Sequence, residues 1–261
     1  MTAHQEAREH ALRLDDVSIA RGGRTVWSDG TFAIRRGSII GVIGPNGSGK
    51  TTLLQMLLGL LPPTSGRIEV LGGSPARGDR RIGYVPQNYT AAVGEAVRCR
   101  DLVTLGLTGT HWGLRRSPGD TRSTVDAALT AVGGLEFADR RMSLVSGGQQ
   151  QRIAIAQGIV HSPELLLLDE PLANLDQRSQ HEIVTLLGTL TADDPDLTIL
   201  LVAHDLNPLL SILTGAVYLL DGHAHHGDIG SVVDEDLLSH LYGTSIRVVR
   251  TAQGDLFTRN A

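Results

Sequence analysis

The chain has one cysteine in 261 residues, Cys99, set alone between Arg98 and Arg100. An internal disulfide is therefore excluded, and so is any zinc-type ligand spacing built on cysteine. Neither a redox nor a nucleophilic role is read into it. Long apolar runs are missing too. The longest, Leu165–Leu168 and Ile199–Ala203, are strand-sized and fall far short of the ~20 residues that span a bilayer. The first ten residues are polar and lack the apolar centre of a signal peptide, so residues 1–11 are expected to form a frayed polar leader. No lysine- or arginine-rich block stands out, and the net charge is −5, which gives no support for nucleic-acid binding. There is no internal repeat and no low-complexity tract. What remains is 41% hydrophobic and 20% charged, an ordinary soluble composition on a chain long enough for a sizeable core. A soluble, cytosolic protein is the expectation.

Against that background one stretch organises the rest. Gly44, Pro45, Asn46, Gly47, Ser48, Gly49, Lys50, Thr51 and Thr52 fit the G-x-x-x-x-G-K-[ST] phosphate loop. Before it, Ser38–Ile43 reads as a buried strand; after it, Leu53–Leu60 reads as a helix start. Glycines let the backbone approach closely, and the loop N–H groups with the helix dipole then face a phosphate. Lys50 would reach the β- and γ-phosphates, and the Thr51 hydroxyl would hold Mg²⁺. A nucleoside triphosphate is the ligand this pattern predicts.

The flanking segments read as α/β. Strands are predicted at Leu14–Ala20 and Thr31–Ile34, split by Arg21–Arg24, then at Arg67–Gly73 and Arg81–Gln87. From Tyr89 to Leu144 the texture changes to helical spacing at Asp101–Leu105 and Val125–Val132, with a polar link over Gly106–Asp120. This reads as a helical insertion. Ser146, Gly147, Gly148 and Gln149 precede a further helix, with Ser146 as its N-cap and two glycines that leave N–H groups open to an anion.

Leu165–Leu168 then predicts a fully buried strand with Asp169 and Glu170 at its C-terminal end, where α/β sheets bind ligands. Asp169 is placed for the Mg²⁺ shell and Glu170 to polarise an attacking water. Leu197–Ala203 is another buried strand, ending at His204, whose imidazole could hydrogen-bond a γ-phosphate.

Taken in order, Gly44–Thr51, Gln87, Ser146–Gln149, Leu165–Glu170, Asp176 and His204 resemble the ATP-binding subunit of ABC transporters, over nearly the whole chain. The resemblance implies an ATP-binding domain over residues 12–250. Its fold would be a P-loop NTPase (RecA-like) α/β core with an antiparallel β-subdomain, and a helical subdomain inserted at about 89–160. It also implies that Gln87 senses Mg²⁺ and a membrane partner. Two chains would pair head to tail on ATP, with Ser146–Gln149 of one capping the γ-phosphate held by Lys50 of the other, and Asp176 would be a further nucleotide-binding residue. Integral-membrane permease subunits would hold the chain at the cytoplasmic face of the membrane, with an extracytoplasmic solute-binding protein as an indirect partner.

Three positions depart from the family pattern. Arg21 stands where an aromatic usually stacks on adenine, a contact a guanidinium can also make. Val145 replaces the leucine that opens the signature, and Gln157-Gly158 replaces Arg-Ala, a glycine expected to weaken that helix. Arg100–Leu107, His204–Leu210 and Leu241–Thr244 resemble the manganese/zinc importer branch, while iron-siderophore and cobalamin importers share much of this pattern. A non-transport ABC ATPase would need a coiled-coil insertion, a second ATP-binding unit or a basic face. His223, His225 and His226 suggest a metal site, but a solvated hairpin turn is the reading preferred.

Overall fold

The computed structural model describes residues 9–87, 96–109, 118–250 and 256–260. The predicted start of the helical segment at Tyr89 and most of the link Gly106–Asp120 fall outside them.

Strands β1 (His10–Arg21) and β2 (Arg24–Arg35) form a long antiparallel hairpin, and β4 (Ser65–Val70) pairs antiparallel on its outer edge. Both hairpin strands are longer than the sequence pattern predicts. Ala11 is fully buried, so the polar leader yields its last two residues to β1. The reason lies in bulges: the β1–β2 register shifts at several points, and Asp16 and Asp29 take positive φ of 52° and 57°. Each shift breaks the strict alternation by which a strand is recognised.

Strand β3 (Ile39–Ile43) leads through the glycine loop into α1 (Lys50–Leu57). Strands β5 (Ile82–Val85), β6 (Leu165–Asp169), β7 (Thr198–Val202) and β8 (Gly215–Leu220) complete a parallel block, with β9 (His223–Asp228) antiparallel to β8. The strand order is β4-β1-β2-β9-β8-β3-β7-β6-β5. All residues of β3, β6 and β7 are buried, which requires cover on both faces.

Pleating supplies two cores from one strand. Leu165 and Leu167 of β6, with Leu200 and Val202 of β7, face Leu53, Leu54, Met56 and Leu57 of α1 and the hairpin. Leu166 and Leu168, with Ile199 and Leu201, face the helices on the other side. Those helices are α2 (Cys99–Thr108), α3 (Pro118–Ala131), α4 (Gly147–Ile159) and α5 (Gln177–Asp193). Cys99 is buried there beside Met142, and burial pushes its thiol pKa up, which suits an inert core residue.

Gly158 turns out to be a packing requirement. A Cβ there would come within 3.1 Å of Leu166 Cδ1 and Val85 Cγ2, and a Cβ on Gly83 would strike the Gly158 carbonyl. Helix α4 thus rides close over β5, and close approach is what the glycine supplies.

Beyond β9, a single helical turn (Ile229–Val232), α6 (Glu235–Tyr242) and the two-stranded antiparallel sheet of β10 (Ile246–Arg250) and β11 (Leu256–Asn260) complete the described chain.

Candidate functional site

The C-terminal ends of β3, β5, β6 and β7 meet at one edge of the parallel block, and each delivers a predicted residue there. Helix α1 begins at Gly49, with φ of 97° and no side-chain cap. A Cβ on Gly49 would lie 2.5 Å from Val26 Cγ1 and 3.0 Å from the Trp27 ring, so the β2 strand presses the loop from behind. The first N–H groups of α1 thus carry no side-chain cap.

Lys50 is 7% exposed, and its Nζ donates to the carbonyl oxygens of Gly44 at 2.7 Å and Pro45 at 3.1 Å. Burial lowers its pKa, while the nearby carboxylates of Glu170 and Asp169 oppose that shift. Asp169, 5% exposed, is the counterpart: burial raises its pKa, the Glu170 charge adds to that, and Thr51, Lys50 and His204 pull against it. The Thr51 hydroxyl lies 3.4 Å from Asp169 Oδ2, and Asp169 Oδ1 is buried with no hydrogen-bond partner among the described residues. An orphaned buried carboxylate oxygen beside a threonine hydroxyl is the donor set of a hard divalent cation, so these residues fit Mg²⁺.

Glu170 occupies the left-handed region at φ 52°, a conformation worth about 1–3 kcal/mol of strain for a non-glycine residue. The kink turns its side chain back across the strand ends, where both oxygens are engaged. Gln87 Nε2 donates to Oε2 at 2.5 Å, and His204 Nε2 meets Oε1 at 2.6 Å. The Nε2–H tautomer of His204 is the one that donates to a carboxylate. Lys50, Thr51, Gln87, Asp169, Glu170 and His204 are therefore assembled in one cluster.

A second cluster lies elsewhere. Ser146 caps α4 as predicted: its hydroxyl accepts from the Gln149 N–H at 3.3 Å, and Gln149 Oε1 accepts from the Ser146 N–H at 3.0 Å. Asp176 caps α5, accepting from the Ser179 N–H at 2.8 Å, and that backbone bond holds its pKa down. A Cβ on Gly148 would lie 2.7 Å from Ser179 Oγ, so the two helix starts adjoin. Among the described residues no hydrogen bond or ion pair links Ser146–Gln149 to the phosphate loop.

Arg21 stands exposed at the end of β1. A cavity of about 250 Å³ beside the loop is lined by Val26, Trp27, Asn46, Ser48, Asp221 and His223 among others, and Arg21 does not line it. Sequence reasoning missed Val26 and Trp27; their place against Gly49 depends on a non-local strand approach that leaves no local signal. His223, His225 and His226 belong to β9, not to the turn. His225 stacks on Tyr218 at 5.0 Å, His226 on Phe32 at 5.8 Å, and His223 Nδ1 lies 3.0 Å from Asp29 Oδ2. Among the described residues no group of three or more His, Cys, Asp or Glu side chains is arranged to hold a metal ion. Nor is any helix among them long and apolar enough to cross a membrane.

Comparison with known proteins agrees with this geometry. Residues 28–173 match the family model described as ABC transporter. The zinc transport system ATP-binding protein TroB of Treponema pallidum is 33% identical over 244 residues, covering 94% of this chain and 91% of TroB. The manganese transport system ATP-binding protein MntB of Bacillus subtilis is 37% identical over 195 residues, covering 75% of this chain and 77% of MntB. A solved ABC transporter structure, inward-facing and described as of the metal-chelate type, superposes with a TM-score of 0.82 at 26% identity, covering 97% of both chains. The chain belongs to the ABC transporter family, as one of its ATP-binding, ATP-hydrolysing subunits.

Proposed function

We propose that this chain powers import of a divalent metal ion, manganese or zinc, through a separate membrane permease. The observation that carries the chemical half is the Glu170 carboxylate held between Gln87 and His204, next to the phosphate loop. The metal half rests on the resemblance to TroB and MntB.

The reaction is in-line attack of water on the γ-phosphate of ATP. Lys50 and the open N–H groups of α1 bind and orient the phosphates. Asp169, Thr51 and Gln87 would hold Mg²⁺, which when bound neutralises charge on the β- and γ-phosphates. Glu170 takes the proton of the attacking water as the bond from the γ-phosphorus to the bridging oxygen breaks and ADP leaves with the electron pair. His204 Nε2–H hydrogen-bonds a γ-phosphate oxygen and keeps its proton. Lys50 gives two of its three N–H donors to its own loop carbonyls and keeps one for a phosphate, and each Glu170 oxygen, with one donor on it, keeps a lone pair for the water.

Two copies pair head to tail, so that Ser146–Gln149 and Asp176 of one complete the phosphate site of the other. That arrangement gives the second cluster a purpose it lacks in the single chain. We assign residues 12–250 to the ATP-binding domain. The helical part contacts the permease at the cytoplasmic face, and a solute-binding protein on the other side selects the ion. Adenine stacking by Arg21 would require the β1–β2 tip to close over the base.

The test uses cells lacking this chain, rescued with wild type or Glu170→Gln, and elemental analysis of both. Manganese or zinc that falls and is restored only by wild type supports the proposal. An altered iron pool or cobalamin-dependent growth, with manganese and zinc unchanged, replaces it with a siderophore or cobalamin importer. In vitro, Glu170→Gln is expected to abolish turnover, keep ATP binding and dimerise on ATP; normal turnover would remove Glu170 as the base.

A further inference from the structure

The order of the strands fixes which way a triphosphate lies across the loop. Asp169 ends β6, Glu170 follows it and His204 follows β7, all on one side of β3 in the sheet. The γ-phosphate faces that side, because Glu170 and His204 act on it. The rest of the nucleotide then runs from the phosphate loop toward the other side of β3, where β8, β9 and β2 stand in turn.

Strand β8 is parallel to β3, so its C-terminal end reaches the same edge as the loop, and Asp221-Gly222 turn the chain there into β9. The Ser28 N–H donates to the Gly222 carbonyl at 2.8 Å and ties this turn to β2. A Cβ on Gly44 would lie 2.6 Å from the Leu219 carbonyl oxygen, so the end of β8 packs directly on the loop. The cavity of about 250 Å³ lies at this place, among Val26 and Trp27 of β2, Asn46 and Ser48 of the loop, and Asp221 and His223.

Its chemistry suits a nucleoside better than another phosphate. The Asp221 carboxylate in its lining disfavours a further anion. Val26 supplies apolar surface. Trp27 Nε1 and Ser48 Oγ are buried with no hydrogen-bond partner among the described residues, and ribose hydroxyls both donate and accept. His223 Nδ1 lies 3.0 Å from Asp29 Oδ2, which holds the ring in place. A neutral ring that donates from Nδ1 keeps Nε2 as an acceptor.

We propose that His223 is a specificity-determining residue for ATP: the adenosine half seats in this cavity, with the base against the His223 ring. The proposal rests on the reading of the Lys50 loop as the triphosphate site and of Glu170 and His204 as its γ-phosphate end. Arg21, which does not line the cavity, then takes no part in holding the base.

The experiment titrates the full chain with ATP and with inorganic tripolyphosphate, both in excess magnesium, as wild type, His223→Ala and Arg21→Ala. His223→Ala is expected to weaken ATP binding about five- to tenfold, the loss of one ring contact and one hydrogen bond. Tripolyphosphate carries no nucleoside, so its affinity for His223→Ala should equal that for wild type. Arg21→Ala should bind both ligands as wild type does. If His223→Ala keeps full ATP affinity, or loses both ligands by the same factor, the proposal is overturned. An ATP-only loss in Arg21→Ala with none in His223→Ala overturns it too, and puts the base at the β1–β2 tip. A wild-type chain that binds neither ligand removes the phosphate-loop reading itself, and the proposal with it.

Discussion

Helices α1 and α4 both point an N-terminus at a glycine-rich turn, yet they are entered in opposite ways. Helix α1 starts at a left-handed glycine with no side-chain cap, so its first N–H groups are left for a ligand. Helix α4 starts with a capping box, in which Ser146 and Gln149 satisfy each other. The first arrangement is complete in one chain. The second has spent part of its donor capacity on itself, and what it still offers are the N–H groups of Gly147 and Gly148. A phosphate site is therefore built at α1, whereas α4 has fewer donors left to offer an anion. The acids divide similarly: Asp169 is buried beside Lys50, while Asp176 is an exposed helix cap.

The contrast is broken most directly at Lys50. Lys50→Ala should weaken ATP binding by the single chain roughly 10- to 100-fold, the loss of a charge-assisted contact, in a nucleotide titration. Ser146→Ala in the same titration should bind as wild type does, because the α4 start lies outside the single chain's phosphate site. Equal losses in the two variants would erase the distinction.

Asp169 sharpens it next. Its folded pKa is raised, so the folded state binds more protons than the unfolded chain between 3.8 and the folded value. The sign follows: without ligand, stability falls as pH rises through that window, and the ionised carboxylate burdens the fold at neutral pH. Asp169→Asn should therefore raise Tm at pH 7 in the absence of nucleotide and magnesium, while abolishing turnover. A lowered Tm would show that the carboxylate is structurally compensated. Asp176→Asn should show no such rise, since the Asp176 pKa is lowered by its cap and its charge favours the fold.

The smallest effect is expected at the cap itself. Ser146→Ala removes one helix cap worth about 0.5–2 kcal/mol, a Tm decrease of a few degrees by calorimetry. Ser146→Asp should restore most of it; no restoration would mean that the hydroxyl acts through something other than capping.

The two clusters also differ in how far the sequence discloses them. The phosphate loop, the acids after β6 and the Ser146 cap are contiguous patterns whose chemistry is local, so residue order alone locates them. Partnerships are different. Gln87 and Glu170 lie 83 residues apart, and only the parallel pairing of β5 with β6 puts their ends side by side. Gly158 reads as a weak point of α4 until Gly83 and Val85 are seen beneath it. Bulges disrupt alternation in the hairpin strands, so their full length is not legible in residue order, and Arg21 stands exposed at their tip. Local motifs are visible in one dimension; contacts that depend on strand order are not.

Lys50 is the only lysine in the chain, every other long cation being an arginine. An acylating reagent selective for primary amines therefore finds one side chain, apart from the terminal amine, and that side chain lies in the phosphate loop. Burial lowers its proton affinity, which raises the share of reactive free amine at mildly alkaline pH. A triphosphate over the loop would shield it. Mass spectrometry of the labelled chain would then read nucleotide occupancy directly, site by site in an assembled transporter, with no engineered tag or reporter.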